Sequence, residues 1–188
     1  RAEFGLTGSD DFSVRLSSDG ASWLDALVLD RDTGLAQFPA GLSVGQGGNV
    51  LDFFEQGSWT PEVADAQTGG NVATATEADG RYVRIGNLVH LSIALNGIDV
   101  TGLTGTQWFY IRNLPFACGS ANAHRGIFIP QTKFVSFPDA LTGINLAGSD
   151  VIIFAKLNSG AALGVLQVSD VISTSSGLQG HMTYLIGD

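Results

Sequence analysis

The feature that most constrains this chain is the alternation of apolar and polar residues in short runs that end at residues typical of turns. The run between residues 81 and 96 is the clearest, with apolar residues at Val83, Ile85, Val89, Leu91, Ile93 and Leu95. Alternation at every second position is typical of strands with one buried face, so we expect these six residues to share the apolar face and His90 to lie off it. Gly86 and Asn87 separate the two halves and form a good two-residue hairpin turn, because Gly readily takes a positive φ.

Further short strands are expected at residues 107–114, 126–129, 151–156, 163–168 and 181–186, each bounded by Gly, Ser, Asn or Pro. No long stretch has the 3.6-residue period of an amphipathic helix, and no fixed-period repeat aligns along the chain. Many short strands separated by turn residues favour an all-β fold, an antiparallel β-sandwich that is jelly-roll-like.

The first forty residues predict a meander of three strands at 12–16, 23–29 and 35–38, separated by turns at 18–20 and 32–34. A segment of this size cannot bury its apolar residues alone without disulfides, metals or oligomerisation. We therefore expect it to pack against copies of itself. Asp30 and Asp32 before Gly34 could also begin a calcium loop, but no later acidic ligand has the required spacing, which favours a hairpin turn.

Between these regions lies a Gly-rich neck, so the predicted domains are residues 1–42, 43–56 and 57–188. Residues 50–56 of the neck are compatible with a short helix or with an extended arm. Because the sequence begins at Arg1 rather than at Met, we expect it to be part of a longer chain.

Composition limits the partners. The net charge of −9 argues against nucleic acid, whose phosphates require a basic patch. No apolar run approaches the roughly 20 residues of a membrane-spanning helix, so no membrane insertion is expected. The single cysteine, Cys118, excludes an internal disulfide framework, and its Ala-Cys-Gly-Ser context favours a small core or turn residue. Since only 14% of residues are charged, we expect apolar surface to be buried between subunits.

Three motifs occur in a recognisable order: FFEQGSWTP at 53–61, GRYVRIGNLVHLSI at 80–93 and IRNLPF at 111–116. Together they resemble the C-terminal domain of tail fibres and related appendages of tailed bacteriophages. Residues 1–42 resemble a segment of tail and head spike proteins from phages and gene transfer agents, in which a DRDTG-like turn recurs. The resemblance covers residues 1–42 and about 50–116.

This resemblance implies a receptor-binding appendage on the virion surface, assembled in the bacterial cytoplasm and extracellular after release. It implies a homotrimer with a short intertwined N-terminal β segment, which binds bacterial surface or capsular polysaccharide and joins other virion proteins through a region preceding Arg1. No cofactor is implied. A purely structural fibre module and a polysaccharide-degrading spike remain alternatives.

A candidate sugar-binding row lies on the strand at 107–114. If Phe109 and Ile111 face the core, then Trp108, Tyr110 and Arg112 form an exposed row. Sugars stack their C–H groups on aromatic faces, and arginine pairs with hydroxyls or carboxylates. The alternative is that Trp108 and Tyr110 are buried against a neighbouring subunit, since aromatic residues are also enriched at interfaces.

A second candidate site is the pair His124 and Arg125, which follows a loop of small residues at 119–123. Loops at the end of a sandwich commonly carry binding residues, although an ordinary solvated loop is the alternative. His90 and His181 have no nearby Cys or acidic ligand in the sequence, so no metal site is expected within one chain. A histidine from each of three subunits could still meet on a trimer axis.

Catalysis would require paired carboxylates, because glycoside hydrolysis uses two acids roughly 5 to 10 Å apart, one with a raised pKa. Three close pairs exist: Asp10 with Asp11, Glu62 with Asp65, and Glu77 with Asp79. All lie in polar turn contexts that suggest solvation. We therefore expect no enzyme activity.

Overall fold

The chain forms two compact units, Arg1–Phe54 and Glu55–Asp188, in a computed structural model. The structure describes residues 1–7, 10–43, 50–51, 53–133, 135, 140–157, 159–172 and 176–187. Within these residues the only helical segments are two 3₁₀ turns, Asn122–His124 and Val168–Asp170. The all-β prediction is therefore confirmed. No helix in the described ranges is long and apolar enough to cross a membrane.

The first unit is a four-stranded antiparallel sheet in chain order. Its strands are β1 (Ala2–Thr7), β2 (Asp11–Leu16), β3 (Leu24–Leu29) and β4 (Ala36–Gln37). The sequence predicted three of these strands and missed β1, which pairs with the whole of β2 from Ala2↔Leu16 to Thr7↔Asp11. The predicted meander is therefore one strand too short.

The turn between β3 and β4 is the predicted hairpin turn. The Asp30 carboxylate accepts the backbone N–H groups of Asp32, at 2.9 Å, and of Thr33, at 2.8 Å, while Gly34 has a φ of +70°. The hydrogen bond from the Thr33 N–H is the main reason that the pKa of Asp30 is lowered. The carboxylate thus closes its own turn, as Asp commonly does.

This unit has no apolar core among its described residues, because only Ser13 and Ser17 are buried. Phe4, Leu6 and Leu24 are each about 70% exposed. Smaller exposed areas belong to Phe12, Leu16, Leu29, Leu35 and Phe38. The sheet therefore keeps most of its large apolar side chains on its surface.

The neck region is extended where it is described. Strands β5 (Leu42–Ser43) and β6 (Val50–Leu51) pair with each other, and β7 (Phe54–Trp59) follows. The short helix considered for residues 50–56 is therefore wrong, and the extended arm is confirmed. Residues 44–49 and 52 of the neck lie outside the described residues.

The second unit is built from two antiparallel sheets. The five-stranded sheet has the order β13 (Gln131–Lys133), β17 (Ser176–Leu185), β10 (Leu88–Ile98), β9 (Glu77–Ile85) and β7. The six-stranded sheet has the order β12 (Ile127–Phe128), β14 (Ala140–Asn145), β15 (Ile152–Leu157), β11 (Tyr110–Arg112) and β8 (Glu62–Ala64), with β16 (Gly164–Val165) pairing β15.

Both sheets contribute to one hydrophobic core. Leu91, Leu95 and Leu178 come from the five-stranded sheet and are fully buried, as are Phe154 and Ile111 from the six-stranded sheet. Alternate residues of each strand point into this core, which is the arrangement of a β-sandwich. The prediction of a C-terminal antiparallel sandwich is confirmed.

The hairpin of β9 and β10 turns at Gly86, whose φ is +54°, and Ile85 pairs with Leu88 as predicted. The predicted face of β9 is nevertheless wrong. The residues that flank a two-residue turn lie opposite each other and share a face, so Val83 pairs with His90 on the outer surface. The core face of β9 carries Tyr82 instead. His90 lies off the core, as predicted.

Candidate functional site

The predicted aromatic row lies on the outer face of the six-stranded sheet. Phe109 and Ile111 are fully buried, which confirms the alternation on this strand. Trp108 is 42% exposed and Tyr110 is half-buried, and their rings stack with centroids 6.2 Å apart and planes at 24°. Partial burial raises the pKa of Tyr110, which keeps its hydroxyl protonated.

Arg112 does not belong to this exposed row, because its side chain is only 12% exposed. Its Nε donates to Glu62 Oε1 at 2.7 Å, and a second guanidinium N–H donates to the same oxygen. A further nitrogen donates to the carbonyl oxygens of Gly69 at 2.5 Å and Ala66 at 3.2 Å. The guanidinium thus fastens the 66–69 loop to β11, and the predicted exposure of Arg112 is wrong.

A line of apolar residues continues from Tyr110 across the three neighbouring strands β15, β14 and β12. Strand register places Tyr110 opposite Ile153, Ile153 opposite Ile144, and Ile144 opposite Ile127, which is 65% exposed. We call these four residues the apolar row. Directly opposed residues on neighbouring strands lie on the same face, so the row is continuous. It gives Trp108 and Tyr110 surroundings that suit protein contact as well as sugar stacking.

The second predicted site lies at the 3₁₀ turn Asn122–His124. The His124 ring packs over Gly119, where an added Cβ would overlap it, and its Nδ1 is buried without a hydrogen-bond partner among the described residues. Arg125 is exposed. Burial of Cys118 raises the pKa of its thiol, and the positive charge of Arg125 partly offsets that increase. No hydrogen bond or ring contact described in the structure joins this turn to Trp108 or Tyr110.

The carboxylate pair of Glu62 and Asp65 is held by other groups. Asp65 is only 4% exposed and accepts the backbone N–H groups of Asn71, at 2.7 Å, and Thr104, at 2.9 Å, together with the Asn71 side-chain amide at 2.9 Å. The Thr104 hydrogen bond contributes most to lowering the pKa of Asp65 to about 2. A carboxyl group with this pKa stays ionised at neutral pH and would not act as a general acid.

The other two pairs are also engaged. Asp10 forms an ion pair with Arg31 at 3.2 Å, and Asp79 forms one with Arg81 at the same distance. Glu77 accepts the Asn96 side-chain amide at 2.6 Å. Asp10, Asp79 and Glu77 therefore each have a side-chain partner within their own unit.

The structure places His90 next to His181, a proximity that the sequence analysis did not predict. Their rings stack with centroids 5.8 Å apart and planes at 11°, and His90 Nδ1 lies 2.9 Å from Thr183 Oγ1. Both lie on the outer face of the five-stranded sheet, because β10 pairs with β17. Only that long-range pairing could have revealed their proximity. Within the described ranges, no three His, Cys, Asp or Glu side chains cluster as a metal site.

The residues of the three sequence motifs meet in the fold. Tyr82 packs edge-on against Phe116 at 5.2 Å, and the Arg84 guanidinium lies 5.0 Å from the centre of the same ring. The Tyr82 hydroxyl donates to Glu55 at 2.6 Å, which raises the pKa of Tyr82. The motifs therefore mark a packing cluster within the second unit.

The glycines of the motifs have a steric reason. A Cβ on Gly57 would lie 2.8 Å from the Tyr82 hydroxyl, and one on Gly80 would overlap the Trp59 indole. Trp59 itself is partly buried and packs against the core. These positions need a hydrogen in place of a side chain because an aromatic ring already occupies the space.

Comparison with known proteins gives one similar structure. No protein-family model and no curated protein matches the chain. Among solved structures, the crystal structure of the Dettilon tailspike protein is similar, with 19% sequence identity and a TM-score of 0.49. The match covers 70% of this chain and 24% of the tailspike, so the chain spans about a quarter of that protein's length.

Proposed function

We propose that this chain is part of a virion appendage of a tailed phage or gene transfer agent, which attaches to polysaccharide on the bacterial surface. The observation that carries this proposal is the stacked pair of exposed Trp108 and half-buried Tyr110 on the outer face of the six-stranded sheet. Aromatic faces of this kind suit the C–H surfaces of sugars. The motif resemblance to tail fibres supplies the virion context.

A homotrimer is part of the proposal. The first unit leaves its large apolar side chains on the surface, and a sheet this small gains its stability by covering them. Other copies of the same unit are present wherever the chain is made, and they could bury these apolar side chains. Three weak sugar sites in one appendage would then act together, because later contacts are effectively intramolecular once the first has formed.

The second candidate function is a structural fibre module that binds no glycan. The apolar row favours it, since Tyr110 ends a line of isoleucines that another subunit could cover. In this case Trp108 and Tyr110 would contribute to subunit packing, as aromatic residues often do.

Binding of the purified chain to an array of bacterial surface polysaccharides separates the two functions. We expect Trp108→Ala and Tyr110→Ala each to lower binding about tenfold, while light scattering shows an unchanged oligomer. Leu163→Ala, at another exposed apolar position, is the matched control. If the two aromatic changes dissociate the oligomer, and Ile127→Ser does the same, then the structural function is correct for this face.

A further inference from the structure

The outer face of the five-stranded sheet has a composition unlike that of an ordinary solvated surface. Two adjacent inner strands, β10 and β17, contain no Asp, Glu, Lys or Arg. Solvent-facing strands usually carry charged side chains, because these keep the surface hydrated. On the outer face of the described strands, the charged residues are Glu77, Asp79 and Arg81 of β9 and Lys133 of β13.

Strand register places small side chains along the middle of this face. Ala94 lies opposite Gln179, and Ser92 lies opposite His181. Gln179 in turn lies opposite Gln131 on β13. Residues directly opposite each other share a face, so the short side chains of Ser92 and Ala94 form a low floor beside three longer polar ones.

The structure contains an open hollow beside this floor, over β17 and β13. It has a volume of about 370 Å³ and is lined by Ile129, Gln131, Gln179, Gly180 and His181. A smaller hollow of about 150 Å³ adjoins it, shares both glutamines and adds residues such as Asn96 and Lys133. We call the two together the polar groove. The larger volume is within the range of small-molecule sites.

The polar groups of the groove have unused hydrogen-bonding capacity. Within the described part of the chain, the carboxamides of Gln131 and Gln179 make no side-chain hydrogen bond, and the His181 imidazole stacks on His90 without one. Each carboxamide offers two donors and an acceptor, and an imidazole offers one more group of either kind. All three side chains are exposed, so a ligand's hydroxyl groups would replace water on them, and because the strands beneath are fixed only the side chains would have to be ordered on binding.

The charges around the groove favour a neutral ligand. Arg81 pairs with Asp79 at 3.2 Å, and Lys133 has an interaction of its own. The chain carries a net charge of −9, so a polyanion would be repelled. Neighbouring hydroxyl groups on a sugar ring can accept a hydrogen bond from the NH₂ group of a carboxamide and donate one to its carbonyl oxygen.

We infer that the polar groove is a second carbohydrate site, which binds a neutral, hydroxyl-rich glycan chain on the sheet opposite Trp108 and Tyr110. This inference rests on the proposed attachment function, because it assigns a further site for the same class of ligand. Lys133 and Asn96 both line the groove and both lie opposite Gly177, on the two strands that flank β17. Adjacent strands lie about 4.8 Å apart, so the groove is about 10 Å wide there and accommodates a short oligosaccharide across the strands.

The test compares the full chain with a double variant, Gln131→Ala with Gln179→Ala, on an array of neutral and acidic bacterial polysaccharides. We expect the chain to bind neutral members, and the double variant to bind them at least tenfold more weakly at the same melting temperature. Gln56→Ala is the matched control, since Gln56 is exposed on the edge strand of the same sheet, outside the groove.

The outcomes separate this inference from the proposed function. If the double variant binds like the unmodified chain while Trp108→Ala abolishes binding, the groove assignment fails and the attachment function stands. Binding confined to acidic polysaccharides also overturns the groove assignment. If the chain binds no polysaccharide at all, both fail.

Discussion

Replacing Asp65 with Asn tests how the second unit is held together at low pH. Asp65→Asn keeps the size of the side chain but turns one carboxylate oxygen into an NH₂ group. Both oxygens accept N–H groups, Oδ1 from the Asn71 backbone and Oδ2 from the Asn71 side chain and the Thr104 backbone. An amide nitrogen at either place therefore faces a donor. Because Asp65 is buried, water cannot readily replace the lost acceptor.

The magnitude follows from the pKa of Asp65, which falls from 3.8 to about 2. At about 1.36 kcal/mol per pKa unit, this difference corresponds to about 2.5 kcal/mol of stability. Asp65 itself is buried, but residues 67–71 around it are exposed, and screening by the adjacent solvent reduces this figure to about 1–2 kcal/mol. Leaving a buried donor unsatisfied costs a similar amount, so we expect Asp65→Asn to lower the free energy of unfolding by about 2 kcal/mol at pH 7.

The sign of the pH dependence is set by the lowered pKa. The folded state favours the ionised carboxylate, so its contribution is fully present above the unfolded pKa of about 4. It is lost as pH falls from about 4 to about 2. The difference in stability between the unmodified chain and Asp65→Asn is therefore expected to shrink over this window.

Urea unfolding followed by tryptophan fluorescence measures the effect at pH 7 and pH 3, in each case from the transition midpoint and slope. Asp150→Asn is the matched control, because Asp150 is an exposed carboxylate of the same unit. The reasoning is refuted if Asp65→Asn unfolds at the same urea concentration as the unmodified chain at pH 7. It is also refuted if the difference at pH 3 is as large as at pH 7.

Four further predictions follow from the described contacts. Arg112→Lys loses the several hydrogen bonds that the guanidinium donates, and we expect it to lower the free energy of unfolding by about 1–3 kcal/mol in urea titrations. The control Arg81→Lys, at an exposed ion pair, is expected to change it by under about 0.5 kcal/mol. Gly80→Ala overlaps an indole and costs about 1–3 kcal/mol, while Gly105→Ala, with its nearest neighbour at 3.7 Å, is tolerated. Light scattering is expected to give three times the chain mass of 19.6 kDa, reduced by Phe4→Ser, and a monomeric unmodified chain would contradict this. Prolonged incubation with bound polysaccharide is expected to leave its chain length unchanged in size-exclusion chromatography, and any shortening would show an enzyme.

The strands that the sequence predicted well are those whose inward positions are all apolar. In β10 the residues Leu91, Ile93 and Leu95 are each buried, so the alternation was visible. In β14 the inward positions include Gly143 and Asn145, and the pattern disappeared. Phe128 and Ile152 fill the space beside Gly143, so the core is complete there without a side chain from β14.

The same cause left β7 ambiguous between a short helix and an extended arm, because its inward positions are Glu55, Gly57 and Trp59. The Tyr82 ring covers Gly57, and its hydroxyl satisfies Glu55. A strand shows no apolar–polar alternation in its own sequence when side chains of a neighbouring strand occupy the space on its core face. Such a strand can be identified only when its partner strand is known.

The features of the candidate site that the sequence predicted are likewise those that depend on one strand alone. The exposure of Trp108 followed from the burial of Phe109 and Ile111, which is a local property of one strand. The exposure expected for Arg112 failed because its partner, Glu62, lies 50 residues away in sequence. The polar groove also depends on distant pairings, between β10, β17 and β13, which local patterns do not reveal.

The pairing of β10 with β17 has a consequence for how this unit is made. His90 and Thr183 are neighbours in the sheet but 93 residues apart in sequence. During synthesis, the β9–β10 hairpin can form early, yet its core face stays uncovered on one side until the ribosome has delivered β17. Contacts of such separation slow folding, because chain entropy is lost before the contacts stabilise the structure. Inside a cell, this delay leaves an unpaired strand edge open to neighbouring chains, so correct folding depends on the order of synthesis as well as on the final contacts.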